Sequence, residues 1–215
     1  MPDPRSATEQ WQQDLAGLVG RRVAYFRKQR KLTAAQLSDE LKERLGFEMK
    51  RTVIGGLETG TRRTVGLAEI LALANVLSVP PLLLMVPLGD EDECQDEIEI
   101  VPGTRIHPWL AAQWIVGDGL PPFAEFTVDQ ANEHLDLVNF LGLYRQHNAL
   151  VGQWARTLGM EQPAERAARQ QEIENALALV RWSIRDRDGV PPPLPPGLAA
   201  AVDQHARPHP EGGEV

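Results

Sequence analysis

Basic side chains crowd the first third of this chain: between Val19 and Arg63 there are 12 Lys and Arg against 5 Asp and Glu. A field of that sign attracts polyanions, and the local field matters more for phosphate binding than the total charge does. Within the stretch, Lys50-Arg51-Thr52 runs into Gly55-Gly56, and Arg62-Arg63 follows in a polar loop. Two adjacent glycines in a helix each cost about 1 kcal/mol relative to alanine, so a bare face there needs a reason.

Bond-making chemistry has little to work with. A serine-lysine pair is ruled out in the second half, because no lysine follows Lys50 and the only late serine is Ser183. His134 and His147 are 13 residues apart and face different directions on one straight helix. His205 and His209 have a zinc-like spacing but stand in a proline-rich tail without cysteine partners. The single cysteine, Cys94, permits neither an intramolecular disulfide nor a cysteine cluster and reads as an incidental surface thiol. No enzyme, metal or cofactor is expected.

The elements that must position the basic residues are helices. Trp11–Arg30 has Leu15, Leu18, Val23 and Phe26 at helical spacing with basic residues on the other face. Thr33 and Gln36 form a capping-box signature ahead of Leu37, Leu41 and Leu45, and Gly46 ends that second helix. Met49–Thr59 reads as a third helix, with Val53, Ile54 and Leu57 inward and Gly60 as its stop. The fourth, after the loop TRRT, is strongly apolar, with Leu67, Ile70, Leu71, Ala74 and Leu77; Pro80-Pro81 break it before a short apolar turn.

Charge divides the chain. Residues 1–88 carry 13 basic and 9 acidic side chains, net +4, and residues 89–215 carry 9 and 21, net −12, which sum to the overall −8. The asymmetry points to a polyanion-binding module joined to an acidic body. The expected divisions are 1–88 with a core at 19–84, an acidic linker at 89–97, a helical domain at 98–187, and a disordered proline-rich tail at 188–215. In the third division, Pro102-Gly103 suits the turn of a small hairpin, and His107-Pro108 begins a short helix. Thr127 and Gln130 then cap a long helix that runs to Gly159 and pairs antiparallel with one opened by Pro163. Trp109, Trp114, Trp154 and Trp182 are expected in helical cores in preference to a ligand pocket. The fold class is mainly all-α. No apolar run approaches the roughly 18 residues that span a bilayer, and the first residues lack a signal-peptide pattern, so a cytoplasmic protein is expected.

RKQRKLTAAQLSDEL, RTVIGGLETGTRR and LAEILALANVLSVP together resemble the xenobiotic-response-element (XRE) or Cro/C1-repressor family of helix-turn-helix regulators. PWLAAQWIVGDGLPP more weakly resembles actinobacterial regulators of this class. The resemblance implies a third helix lying in the major groove of double-stranded DNA, with Lys50, Arg51 and Thr52 reading bases and Gly55-Gly56 turned to the groove. It implies phosphate contacts at Thr33 and Ala34, where a helix N-terminus offers free N–H groups, and at Arg62 and Arg63. Arg27 and Glu58 match positions that form a structural ion pair. Two departures stand out: a second helix longer by about one turn, and the glycine pair where long polar side chains are common.

A sequence-specific regulator, expected to be a repressor that dimerises through its C-terminal helices, is the leading reading. An antitoxin-like or sigma-factor-binding interaction protein is the alternative, as is a regulator that responds to a small-molecule effector. Gly56→Ala is expected to stabilise the free protein and weaken specific binding.

Overall fold

The computed structural model describes residues 4–88, 97–119, 121 and 127–204. Most of the acidic linker, with Cys94, and the histidines at 205 and 209 lie outside those residues. Nine helices and one two-stranded sheet make up the described structure, and they group into two compact units, 1–125 and 126–215.

In the first unit α1 (Pro4–Gln29) begins earlier than the apolar pattern indicates. α2 (Ala34–Leu45) starts at the expected cap: the Thr33 hydroxyl accepts from the Gln36 N–H at 3.2 Å, and Gln36 Oε1 accepts from the Thr33 N–H at 2.8 Å. It ends at Gly46, whose φ of 64° is the left-handed cap that glycine adopts without strain. Next come α3 (Arg51–Glu58), α4 (Leu67–Leu77) and the short α5 (Leu82–Met85). Leu37, Leu41, Ile54, Leu57 and Leu73 are fully buried at the centre of one core with Val19 and Val23 from α1. Only part of the apolar set of α4 turns inward. Leu67 and Leu71 are 67% and 49% exposed, while Leu73, Ala74, Val76 and Leu77 are buried with Ile70. α4 is apolar nearly all round, so sequence pattern does not single out one face, and contacts with α1 and α2 choose it.

The division expected at residue 88 falls inside this unit, which continues into a hairpin and a sixth helix. Strands β1 (Ile98–Val101) and β2 (Thr104–Ile106) are antiparallel, Ile98 opposite Ile106, and turn at Gly103 with φ 80°. α6 (Pro108–Val116) comes next, with His107 Nδ1 accepting the Trp109 N–H. Ile100, Ile106, Ala111 and Ala112 enclose Val86, just after α5, and Trp11 on α1 donates its indole N–H to the Glu99 carbonyl. Without such cover Val86 would leave apolar surface in water.

The second unit is an antiparallel pair, α7 (Val128–Thr157) and α8 (Pro163–Asp186), with α9 (Pro196–Gln204) against α8. Trp154 donates to Glu174 Oε1 at 3.1 Å, and Gln170 donates to the Thr157 hydroxyl at 3.0 Å. Farther along the pair, buried His147 meets Arg181 Nη1 at 3.1 Å through Nε2. Desolvation lowers the His147 pKa, with Arg181 adding to the effect and Asn148 opposing it. The tail expected to be disordered from 188 instead folds back. Arg181 also donates to the Pro192 carbonyl at 2.6 Å, and Leu194, Leu198 and Val202 complete the core around Leu177 and Ile184. Leucines spaced among prolines supply burial that composition does not reveal. Trp109 and Trp182, expected in cores, are 55% and 53% exposed.

Candidate nucleic-acid interface

α3 is fixed on its inner side by three contacts. Ile54 and Leu57 are fully buried. Gly20 on α1 lies so close that a Cβ there would stand 1.9 Å from the Leu57 carbonyl oxygen, so only glycine allows the two helices to approach this far. Arg27 donates to both carboxylate oxygens of Glu58 at 2.6 Å and to the Leu32 carbonyl at 2.7 Å, tying α1, α3 and the turn before α2 together. The Glu58 hydrogen bond, opposed by desolvation, raises the already high pKa of Arg27 and keeps the guanidinium charged.

With the inner side fixed, Arg51, Thr52 and Thr59 are exposed on α3 and its cap, and Gly55 and Gly56 lie between them half-buried. Lys50, the N-cap residue, is exposed and makes no side-chain cap. The connection from α2 to α3 is not slack: Ser38 donates to the Met49 carbonyl at 2.7 Å, Met49 is buried, and Phe47 packs on the core. At the start of α2 Thr33 is exposed and Ala34 half-buried, where first-turn N–H groups point out of the helix.

The glycine carbonyls anchor the loop that leaves α3. Thr59 donates through its hydroxyl to the Gly55 oxygen at 2.9 Å, while the Thr61 hydroxyl and the Arg62 N–H donate to the Gly56 oxygen at 3.1 and 3.0 Å. Gly60 takes φ 70° within that loop. Beyond it Arg63 is exposed. Arg62, expected beside it on phosphate, is turned to Glu69: Nη1 is buried 2.8 Å from Oε1, held by charge without hydrogen-bond alignment. Glu69 Oε2 accepts the Gly66 N–H at 2.8 Å and so caps α4.

Several basic residues that sequence counting credits to the polyanion face serve the fold. Arg22 is buried: its Nε and Nη2 donate to the Leu83 and Leu88 carbonyls at 3.1 Å, and it lies over the Tyr25 and Phe26 rings at 5.0 Å. Its place three residues after Val19 and four before Phe26, inside the apolar stripe, is the signal in the sequence that marks it. Arg30 and Arg44 both donate to the Val76 carbonyl at the end of α4, where positive charge complements the helix dipole. Lys28, Lys31, Lys50, Arg51 and Arg63 remain exposed.

A small all-helical domain with a second capped helix, a short third helix locked by an arginine-glutamate pair, and that third helix open on its outer side is a helix-turn-helix domain. Residues 23–84 match the family model described as Helix-turn-helix, of the XRE/Cro-C1 type, a family of DNA-binding regulators. No match was found among curated proteins or among solved structures. Among the described residues no group of three or more His, Cys, Asp or Glu is placed to hold a metal ion, and no helix is long and apolar enough to cross a membrane.

Proposed function

We propose that this chain is a sequence-specific transcriptional repressor of the cytoplasm that reads the major groove of double-stranded DNA with α3. Arg51 pairs with guanine, Lys50 reaches a base or phosphate, and Thr52 contacts a base edge; Gly55 and Gly56 let the helix backbone approach the groove. Thr33, Ala34 and Arg63 position the domain on phosphates. The observation that carries this reading is the outer face of α3, open along Arg51, Thr52, Gly55 and Gly56 while its inner face is locked by Gly20 and the Arg27–Glu58 pair. Selection of bound duplexes from a random pool, followed by gel shift, tests it. An enriched motif whose binding is lost in Arg51→Ala is expected; equal binding to all duplexes at moderate salt overturns it.

The chain acts as a homodimer through its second unit in this reading. Leu137 and Leu141 on α7 and Leu179 and Trp182 on α8 are exposed apolar side chains on a folded helix pair, and two tied domains multiply discrimination between sites. The enriched motif should then contain two half-sites. Sedimentation of the full chain gives a dimer, and Leu141→Asp or Leu179→Asp gives a monomer. A monomeric wild type that binds a second, different protein through these leucines would favour the interaction-protein alternative.

A further inference from the structure

Arg62 and Arg63 are adjacent in sequence and have opposite surroundings. The Arg62 side chain is 29% exposed and its Nη1 is buried against Glu69, which is itself 19% exposed. Both ends of this contact are pinned. The Arg62 N–H is bound to the Gly56 carbonyl, and the second Glu69 oxygen holds the Gly66 N–H at the first turn of α4. Swinging Arg62 out to a phosphate would strip a partly buried carboxylate of its counter-charge, and an unpaired carboxylate of that kind is costly. Arg63 carries no such tether among the described residues and is exposed.

We infer that Glu69 keeps Arg62 inside the loop between α3 and α4, so that Arg63 alone of the pair contributes its charge to the phosphate backbone. The path of the loop, and with it the place of Arg63, is held by backbone groups, through the Arg62 N–H on the Gly56 carbonyl and the Gly66 N–H on the residue 69 side chain. This rests on the DNA-binding reading above.

The number of phosphates a protein neutralises is read from the salt dependence of binding, with a slope of about −0.9 in log K against log salt for each contact. No operator is needed, because non-specific duplex binding reports the same contacts. The full chain is titrated by fluorescence anisotropy into a short labelled duplex of mixed sequence over a range of salt. Arg63→Gln should make the slope shallower by about 0.9. Glu69→Gln keeps an acceptor for the Gly66 N–H and frees Arg62, so its slope should steepen by about 0.9. The double variant Arg62→Gln with Glu69→Gln should return to the wild-type slope. Far-UV circular dichroism checks that each variant is folded, and the slope of a folded variant is insensitive to a merely structural loss. A double-variant slope as shallow as that of Arg63→Gln, or a Glu69→Gln slope equal to wild type, overturns the inference. Wild-type protein that fails to bind duplex even at low salt overturns the DNA-binding reading instead.

Discussion

On one side of α3, helix backbone meets helix backbone: Gly20 of α1 leaves no room for a single carbon beside the Leu57 carbonyl. On the other side a Cβ at Gly55 would meet nothing within 4 Å, and one at Gly56 would meet only the Thr61 hydroxyl oxygen, at 3.3 Å. All three glycines carry the same intrinsic helix penalty. At Gly20 the reason for glycine lies inside the chain, in helix packing. At Gly55 nothing among the described residues requires it, which directs the explanation to the outside of the molecule, where DNA is the proposed occupant.

Substitutions can test this contrast, and the largest effect should come from the inner side. Gly20→Ala forces α1 and α3 apart and should cost about 3 kcal/mol of stability by urea unfolding, at the upper end for overpacking. Loss of the lock beside it comes next: Glu58→Gln leaves Arg27 with an unpaired, mostly buried charge and should cost about 2 kcal/mol. On the outer side the sign reverses. Gly55→Ala should stabilise the chain by about 0.5–1 kcal/mol while weakening binding to the selected operator. Gly56→Ala should stabilise by less, because Thr61 must move and its hydrogen bond to the Gly56 carbonyl must stretch. Stabilisation by Gly55→Ala with unchanged operator affinity would break the contrast and reduce the pair to tolerated residues.

Acid sharpens the assignment of these losses to one unit. The lowered His147 pKa means that the unfolded chain binds the proton more readily than the folded one, so the contribution of neutral His147 to stability is fully present above about pH 6.5 and is lost as pH falls through the lowered folded value. His147→Gln should remove that decline in thermal melts. The Gly20→Ala loss should not share it, since the groups that a Cβ at Gly20 would meet belong to Leu57 and Glu58 backbone and do not titrate.

Legibility in the sequence depends on the range of the interactions. The Thr33–Gln36 and Thr127–Gln130 caps and the glycine stops are local, and residue types three or four apart specify them. The Arg27–Glu58 pair spans 31 residues, and only the family resemblance points to it. Gly20 gives no sign of its structural role, and the place of Arg22 in the apolar stripe marks it as inward without naming its partners, because the Leu57, Leu83 and Leu88 carbonyls that they meet are brought near only by the completed fold. The folded-back segment before α9 is hidden for a related reason: proline content argues against regular structure but does not weigh Leu194, Leu198 and Val202 against a waiting apolar surface. At the candidate interface, α3 and its exposed residues are legible, whereas the Arg62–Glu69 contact is not, although the Gly66-x-x-Glu69 spacing marks a helix start.

The hairpin and α6 also bear on where this chain can be cut. A fragment ending with the family match at Leu84 would lack the Leu88 carbonyl to which the Arg22 guanidinium donates, and one ending at Leu88 would leave Val86 without the cover of Ile100 and Ile106. A transplantable helix-turn-helix head therefore extends through the hairpin and α6. Grafting that longer piece onto another body preserves the acceptors of the buried Arg22, and grafting the motif alone does not.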